Sequence, residues 1–139
     1  MKVDYLPDLT DGGKYKQVVS EKLVRLYNFD YNGAMMFRQA LLETVVGKQE
    51  LLDLSSLSFV ESINCKLIFD ISEDDKGIET DDNFLLICRL TAVAYKQMIY
   101  MIDPFCDANH QGYGYQVYQW LYDCVDSDID LLFSPDGHW

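Results

Sequence analysis

Cys106 and His110 are the two residues whose types and spacing best suit covalent catalysis. They stand four positions apart in the stretch CDANH, and a histidine can activate a thiol by accepting its proton. The sequence contains no GxSxG, GxGxxG or GxxxxGK(S/T) motif, and no third group that would orient the histidine is evident. We therefore expect a protein that is not an enzyme, with a catalytic site near Cys106 and His110 as an alternative.

The same region also offers donors for a metal ion. Its candidate ligands are Asp103, Cys106, Asp107 and His110, but zinc sites usually take their ligands from closely spaced pairs, which are missing here. The run DANHQG is similar to the start of a calcium loop, yet Tyr118 stands where such a loop needs a glutamate. We expect no metal and no other cofactor.

A segment rich in tyrosine and aspartate extends from Gly112 to Phe133. It contains four tyrosines, one tryptophan and four aspartates, but neither lysine nor arginine. Helical spacing of apolar residues predicts a helix over Tyr115 to Val125. One face of that helix would carry tyrosines and lead into aspartates, namely Tyr115, Tyr118, Tyr122, Asp123, Asp126, Asp128 and Asp130.

Two interpretations of this segment remain open. The tyrosines can be half-buried core residues and the aspartates ordinary solvent-facing positions. Alternatively, the segment is a partner-binding surface, because tyrosine and tryptophan are enriched in binding hot spots and aspartates attract basic side chains.

The charge distribution favours a basic protein partner. The chain carries a net charge of −12, and no lysine or arginine follows Lys96. An acidic surface repels nucleic acid and anionic membranes, so we expect direct contact with neither. A loop further upstream holds Glu73, Asp74 and Asp75, and the sequence does not decide which acidic region binds.

The cysteines and the amino-terminal sequence indicate a cytoplasmic protein. The four cysteines form no CxxC pair, and the first residues lack the apolar run of a secretory signal. The long apolar segment from Phe84 to Ile102 includes Arg89 and Lys96. These two bases would be costly in lipid, so we expect the segment to be buried within the protein.

The periodicity predicts one α+β domain over residues 1–139. Its parts would be an irregular lead-in over 1–13, N-terminal helices, a central mainly antiparallel sheet of about three to five strands, and a C-terminal helix. The helices would cover residues 15–29, 33–46 and 115–125. The strands would cover residues 63–72, 84–90 and 94–103, with a further strand after Ser127. A helix over Leu90 to Met101 competes with the strand at 94–103.

The acid-aromatic stretch YQVYQWLYDCVDSDID, the small size and the lack of catalytic motifs carry a resemblance. The chain resembles bacterial immunity proteins of contact-dependent growth inhibition and other polymorphic toxin systems. The resemblance implies a stoichiometric inhibitor that neutralises a cognate toxin, which would be a nuclease with a basic active site. The families in this class share no single fold, so no site residue is carried over.

Other functions remain compatible with the same residues. A nucleic-acid mimic that inhibits a host DNA- or RNA-binding enzyme would need a similar surface, and an assembly subunit would form a stable homo-oligomer. If the C-terminal aspartates steer the partner, replacing Asp126, Asp128 and Asp130 together with asparagine should slow association.

Overall fold

The structure is a computed structural model that describes residues 1–9, 22–109 and 117–139. These residues form strands, two α-helices and shorter helical segments. The strands are β1 (Lys2–Leu6), β2 (Lys22–Tyr27), β3 (Leu52–Asp53), β4 (Glu61–Ser62), β5 (Lys66–Ile71), β6 (Gly77–Thr80), β7 (Leu85–Leu90), β8 (Gln119–Trp120) and β9 (Ile129–Phe133). The α-helices are α1 (Tyr31–Ala40) and α2 (Ala92–Ile102). A π-helical turn (Leu41–Gly47) continues α1, and 3₁₀ turns cover Leu54–Ser56 and Asp103–Cys106.

The strands of the described residues form two sheets. The first has the order β4-β1-β2-β9-β8 and the second the order β3-β5-β7-β6. The pairs β1–β4, β2–β9 and β5–β7 are parallel, and the other pairs are antiparallel. The mixed α and β composition is confirmed. The prediction of one mainly antiparallel sheet is wrong, because both sheets are partly parallel.

One main core lies between the sheets and the helices. Phe37 of α1 connects the two sheets, since its ring centroid is 6.0 Å from that of Phe69 on β5 and 5.8 Å from that of Phe133 on β9. A smaller cluster of Leu9, Leu23 and Leu132 lies apart from the main core. Among the described residues, no helix is both long enough and apolar enough to cross a membrane.

Several predicted elements are confirmed. The helix predicted over 33–46 is α1 with its π-helical turn, and Asp30 caps it by accepting a hydrogen bond from the Gly33 N–H at 3.0 Å. The predicted strands over 63–72 and 84–90 correspond to β5 and β7, and the strand after Ser127 is β9.

The predictions at the N-terminus are wrong where the structure describes it. Residues 2–6 of the expected irregular lead-in form β1, which pairs with β2 and β4. Lys22–Tyr27, expected to be helical, form β2 in the middle of its sheet. Leu23 packs in the small cluster while Val24 and Leu26 pack in the main core. A strand buried on both faces has no clear alternation of apolar and polar residues, so its apolar positions imitated a helical stripe.

The strand predicted over 94–103 is also wrong, and the competing helix is correct. Thr91 caps α2, because its hydroxyl oxygen accepts a hydrogen bond from the Ala94 N–H at 3.2 Å. Tyr95, Met98 and Ile102 bury one face of the helix at helical spacing.

The predicted C-terminal helix is wrong over residues 117–125, while 115 and 116 lie outside the described residues. This stretch contains β8, and Leu121 N–H donates to the Leu131 carbonyl at 2.9 Å. Val117 is exposed and Leu121 is buried, although the helical pattern placed them on one face. The pairing with β9 therefore decides the local structure here.

Candidate partner-binding surface

Two hydroxyl groups form hydrogen bonds with the outer edge of β6, which is the last strand of its sheet. The Tyr122 hydroxyl accepts a hydrogen bond from the Ile78 N–H at 3.1 Å and donates to the Ile129 carbonyl on β9. The Ser127 hydroxyl donates to the Ile78 carbonyl at 2.9 Å. An unpaired strand edge is prone to pair with other chains. Tyr122 and Ser127 therefore protect this edge and connect the two sheets.

Gly77 permits this close approach. Its φ is +74°, and a Cβ atom at this position would lie only 2.6 Å from the Ser127 Cβ. Any other residue would push the segment around Ser127 away from β6, because carbon atoms cannot approach so closely.

The two acidic regions lie side by side. The Cys124 thiol donates to the Asp75 backbone carbonyl at 2.9 Å, although the two residues are 49 positions apart in the sequence. The Asp75 carboxylate also accepts a hydrogen bond from the Thr91 N–H at 2.8 Å, which fixes the loop against the start of α2. The sequence left these regions as alternatives, and the structure places them next to each other.

We call the exposed carboxylates of these two regions the acidic surface. Its members are Glu73, Asp74, Asp75, Asp123 and Asp126. Within the described parts of the chain, none of them forms an ion pair. Lys76 follows directly in the loop, so the acidic surface is bordered by one base. Val125 between its members is fully exposed.

Two of the predicted aspartates have a different environment. Asp128 forms an ion pair with Lys22, whose Nζ is 2.7 Å from Oδ2, and this hydrogen bond lowers the pKa of the Asp128 carboxyl. Asp130 lies on β9 and is half-buried. Both are therefore less suited to meet a partner than Asp123 and Asp126.

The predicted tyrosine face does not form in the described residues. Tyr118 packs against the small leucine cluster and meets the ring of Trp120 edge-on, with centroids 6.1 Å apart. Tyr122 packs against the main core, and burial raises the pKa of its hydroxyl. Tyr115 lies outside the described residues. The face does not form because the helix that would carry it is absent: residues 119 and 120 form β8, and Tyr118 and Tyr122 pack in different clusters.

A further group of acids, in β6 and in the turn that follows it, serves the local structure. The Asp82 carboxylate accepts hydrogen bonds from the N–H groups of Phe84 and Leu85 at 3.0 and 2.9 Å. These bonds lower its pKa. Glu79 pairs with Arg89 at 3.1 Å. We therefore leave these residues out of the acidic surface.

The Cys106 region does not favour catalysis. Burial, reinforced by the nearby Asp103 carboxylate, raises the pKa of the Cys106 thiol, so the reactive thiolate is disfavoured. His110, the proposed base, lies outside the described residues. In the parts of the chain that the structure describes, no three histidine, cysteine, aspartate or glutamate side chains are grouped so that they could hold a metal ion.

The roles of Cys124 and Ser127 were not predicted from the sequence. Their partners, Asp75 and Ile78, are each 49 positions away in the sequence. No local spacing signals such contacts, because they depend on how the two sheets pack together.

Comparisons with known proteins give no relative. No family model matches the chain, and neither a curated protein nor a solved structure was found to be similar to it.

Proposed function

We propose that the protein is a stoichiometric inhibitor that binds a basic partner protein through the acidic surface. The observation that carries the proposal is the contact between Cys124 and Asp75, which places two acidic segments side by side. Their exposed carboxylates form no ion pair among the described residues. Pairing with the lysines and arginines of a partner would therefore displace no existing ion pair of these carboxylates.

The physical basis is electrostatic steering. Clustered charges of one sign accelerate association with a surface of opposite sign, and the effect weakens as salt screens it. The same charges oppose binding to phosphates of nucleic acid or to anionic lipid. A basic protein is therefore the partner that this surface suits best.

Among inhibitors of basic proteins, we propose that this protein is the immunity partner of a bacterial toxin. The support is the resemblance of the acid-aromatic segment to immunity proteins, together with the charge of the surface. A nuclease toxin has a basic active site that an acidic inhibitor could cover. This function would place the protein in the cytoplasm, where such a toxin meets its nucleic-acid substrate.

A nucleic-acid mimic that inhibits a host enzyme is the second candidate, and the same surface favours it. Capture from the native cell lysate at low salt, followed by a high-salt wash and mass spectrometry, would identify the partner. A toxin encoded beside this gene and bound one-to-one would support the immunity function. A DNA- or RNA-binding enzyme of a host would support the mimic instead.

Charge neutralisation tests the surface itself. The test variant combines Glu73→Gln, Asp74→Asn and Asp126→Asn. The control variant combines Glu43→Gln, Glu50→Gln and Glu61→Gln, which are exposed acids elsewhere on the protein. Both variants lose the same charge, so a difference between them reports the location of the charge rather than its amount.

We expect the test variant to associate with the partner about 10-fold more slowly at low salt, with the difference shrinking at high salt. Stopped-flow mixing measures both effects. Equal slowing in the two variants would show that only net charge matters and would contradict a localised surface. Asp128 is left unchanged because its removal would also release Lys22 from their ion pair.

A further inference from the structure

A narrow cleft opens within the acidic surface, between α2 and the segment that follows β8. Its volume is about 150 Å³. Leu90 and Leu121 are buried apolar residues in its lining, and Ala94 and Met101 add apolar surface from α2. Asp75 and Asp123 also line it. The cleft thus combines an apolar lining with two carboxylates.

The size of the cleft limits its occupant. Pockets for drug-sized small molecules usually measure roughly 300–1,000 Å³. A cleft about half the size of the smallest of these suits one long side chain. The aliphatic part of such a side chain would contact the leucines, and a charged end would reach the carboxylates.

The carboxylates of Asp75 and Asp123 have acceptor oxygens that a cation could bind. Oδ1 of Asp75 is held by the Thr91 N–H at 2.8 Å, which orients the group. Among the described residues, no donor bonds to the other oxygen of Asp75, and Asp123 has no hydrogen-bond or ion-pair partner. Neither lysine nor arginine lines the cleft in the part of the chain that the structure describes.

We propose that this cleft receives the side chain of one arginine from the partner protein. The inference rests on the proposed function and specifies how the partner is anchored. An arginine fits better than a lysine because its guanidinium has five donors for two carboxylates and also stacks on aromatic rings, such as that of Tyr122, which lines the cleft. Arginine is also among the residues most often found as binding hot spots.

Titration with N-acetyl-arginine methylamide, followed by amide chemical shifts in NMR spectra, tests the cleft directly. We expect concentration-dependent shifts at Asp75, Ala94 and the residues from Leu121 to Asp123. The citrulline analogue has nearly the same shape but no charge, and it should bind at least ~10-fold more weakly because charge-assisted hydrogen bonds are lost. Equal binding of the two compounds, or tighter binding of the lysine analogue, would overturn the assignment.

Two variants separate the cleft from the surrounding charge. Ala94→Leu fills the cleft without changing charge and with little change in helix propensity, and should abolish the shifts. Asp75→Asn with Asp123→Asn keeps the shape and should weaken binding at least ~10-fold, which provides a second test if the larger side chain disturbs folding. Glu73→Gln with Asp74→Asn should leave binding of the probe nearly unchanged. Shifts that survive both cleft variants would overturn the proposal.

The partner itself distinguishes this inference from the proposed function. If Ala94→Leu leaves partner association unchanged while neutralising Glu73, Asp74 and Asp126 slows it, the acidic surface binds but the cleft holds no anchor. If the arginine compound binds in the cleft while the charge variants do not affect any partner, the cleft is real and the proposed function is wrong.

Discussion

Replacing Tyr122 with phenylalanine tests whether this residue is structural. The substitution removes only the hydroxyl oxygen and leaves the ring in the core. That oxygen accepts from the Ile78 N–H at 3.1 Å and donates to the Ile129 carbonyl. The Ser127 hydroxyl lies 3.2 Å from the Ile129 carbonyl, but it has one proton and can donate there only by giving up its bond to the Ile78 carbonyl at 2.9 Å.

The expected loss follows from these bonds. Each hydrogen bond contributes about 1 kcal/mol net, and leaving a buried donor without an acceptor costs about 1 kcal/mol more. Ile78 is 1% exposed, so water does not readily replace the hydroxyl. We expect the free energy of unfolding to fall by about 2–3 kcal/mol. For a chain of this length, the melting temperature should fall by roughly 6–12 °C.

Urea and thermal unfolding followed by circular dichroism measure this loss. Tyr100→Phe is the matched control, because the same oxygen is removed from a side chain that is 79% exposed, and its stability should stay within about 0.5 kcal/mol of the unmodified protein. If Tyr122→Phe lowers the free energy of unfolding no more than Tyr100→Phe does, the hydrogen bonds of the Tyr122 hydroxyl do not stabilise the protein. Our account of this residue would then be wrong.

Two further predictions concern an ion pair and a thiol. Arg25 holds Asp4 through bonds of 3.0 and 2.6 Å, and the Asp4 side chain is 8% exposed, so Arg25→Met should lower the free energy of unfolding by about 3 kcal/mol in urea titrations. Lys22→Met, which breaks the exposed ion pair with Asp128, should lower the free energy of unfolding by less than ~1 kcal/mol. Equal losses in Arg25→Met and Lys22→Met would contradict this prediction. The raised pKa of Cys106 predicts that iodoacetamide modifies this thiol more slowly than a free cysteine at pH 7, with the rate still rising at pH 9 and above. A rate that levels off below pH 8 would instead indicate an activated thiol and revive the enzyme alternative.

The sequence predicted elements whose local pattern agrees with their packing. Helix α1 has a polar cap at Asp30 and one apolar face, and β5 alternates over most of its length, so periodicity identified both. It failed for β2, since this strand is buried on both faces. It failed again over residues 117–125, where pairing with β9 replaced the expected helix.

The candidate site could be predicted from the sequence only in part. Residue types alone identified aspartates in two segments, but their relation depends on the contact of Cys124 with Asp75, 49 positions apart. Helical spacing also grouped Tyr118 with Tyr122, although they pack in different clusters. Composition therefore predicted the charge of the surface but not which residues share it.

Stability and binding are linked in this part of the protein. Asp123 and Asp126 lie on the same segment as Tyr122 and Ser127, which fasten it to β6. The position of these two carboxylates relative to Asp75 therefore depends on hydroxyl groups that form hydrogen bonds within the protein. A substitution such as Tyr122→Phe should accordingly weaken partner binding as well as folding, because the loosened segment contributes Leu121, Tyr122 and Asp123 to the lining of the cleft. An arginine in the cleft would need Asp75 and Asp123 in place, so this indirect effect should be larger on the dissociation rate than on the association rate, which long-range charge governs.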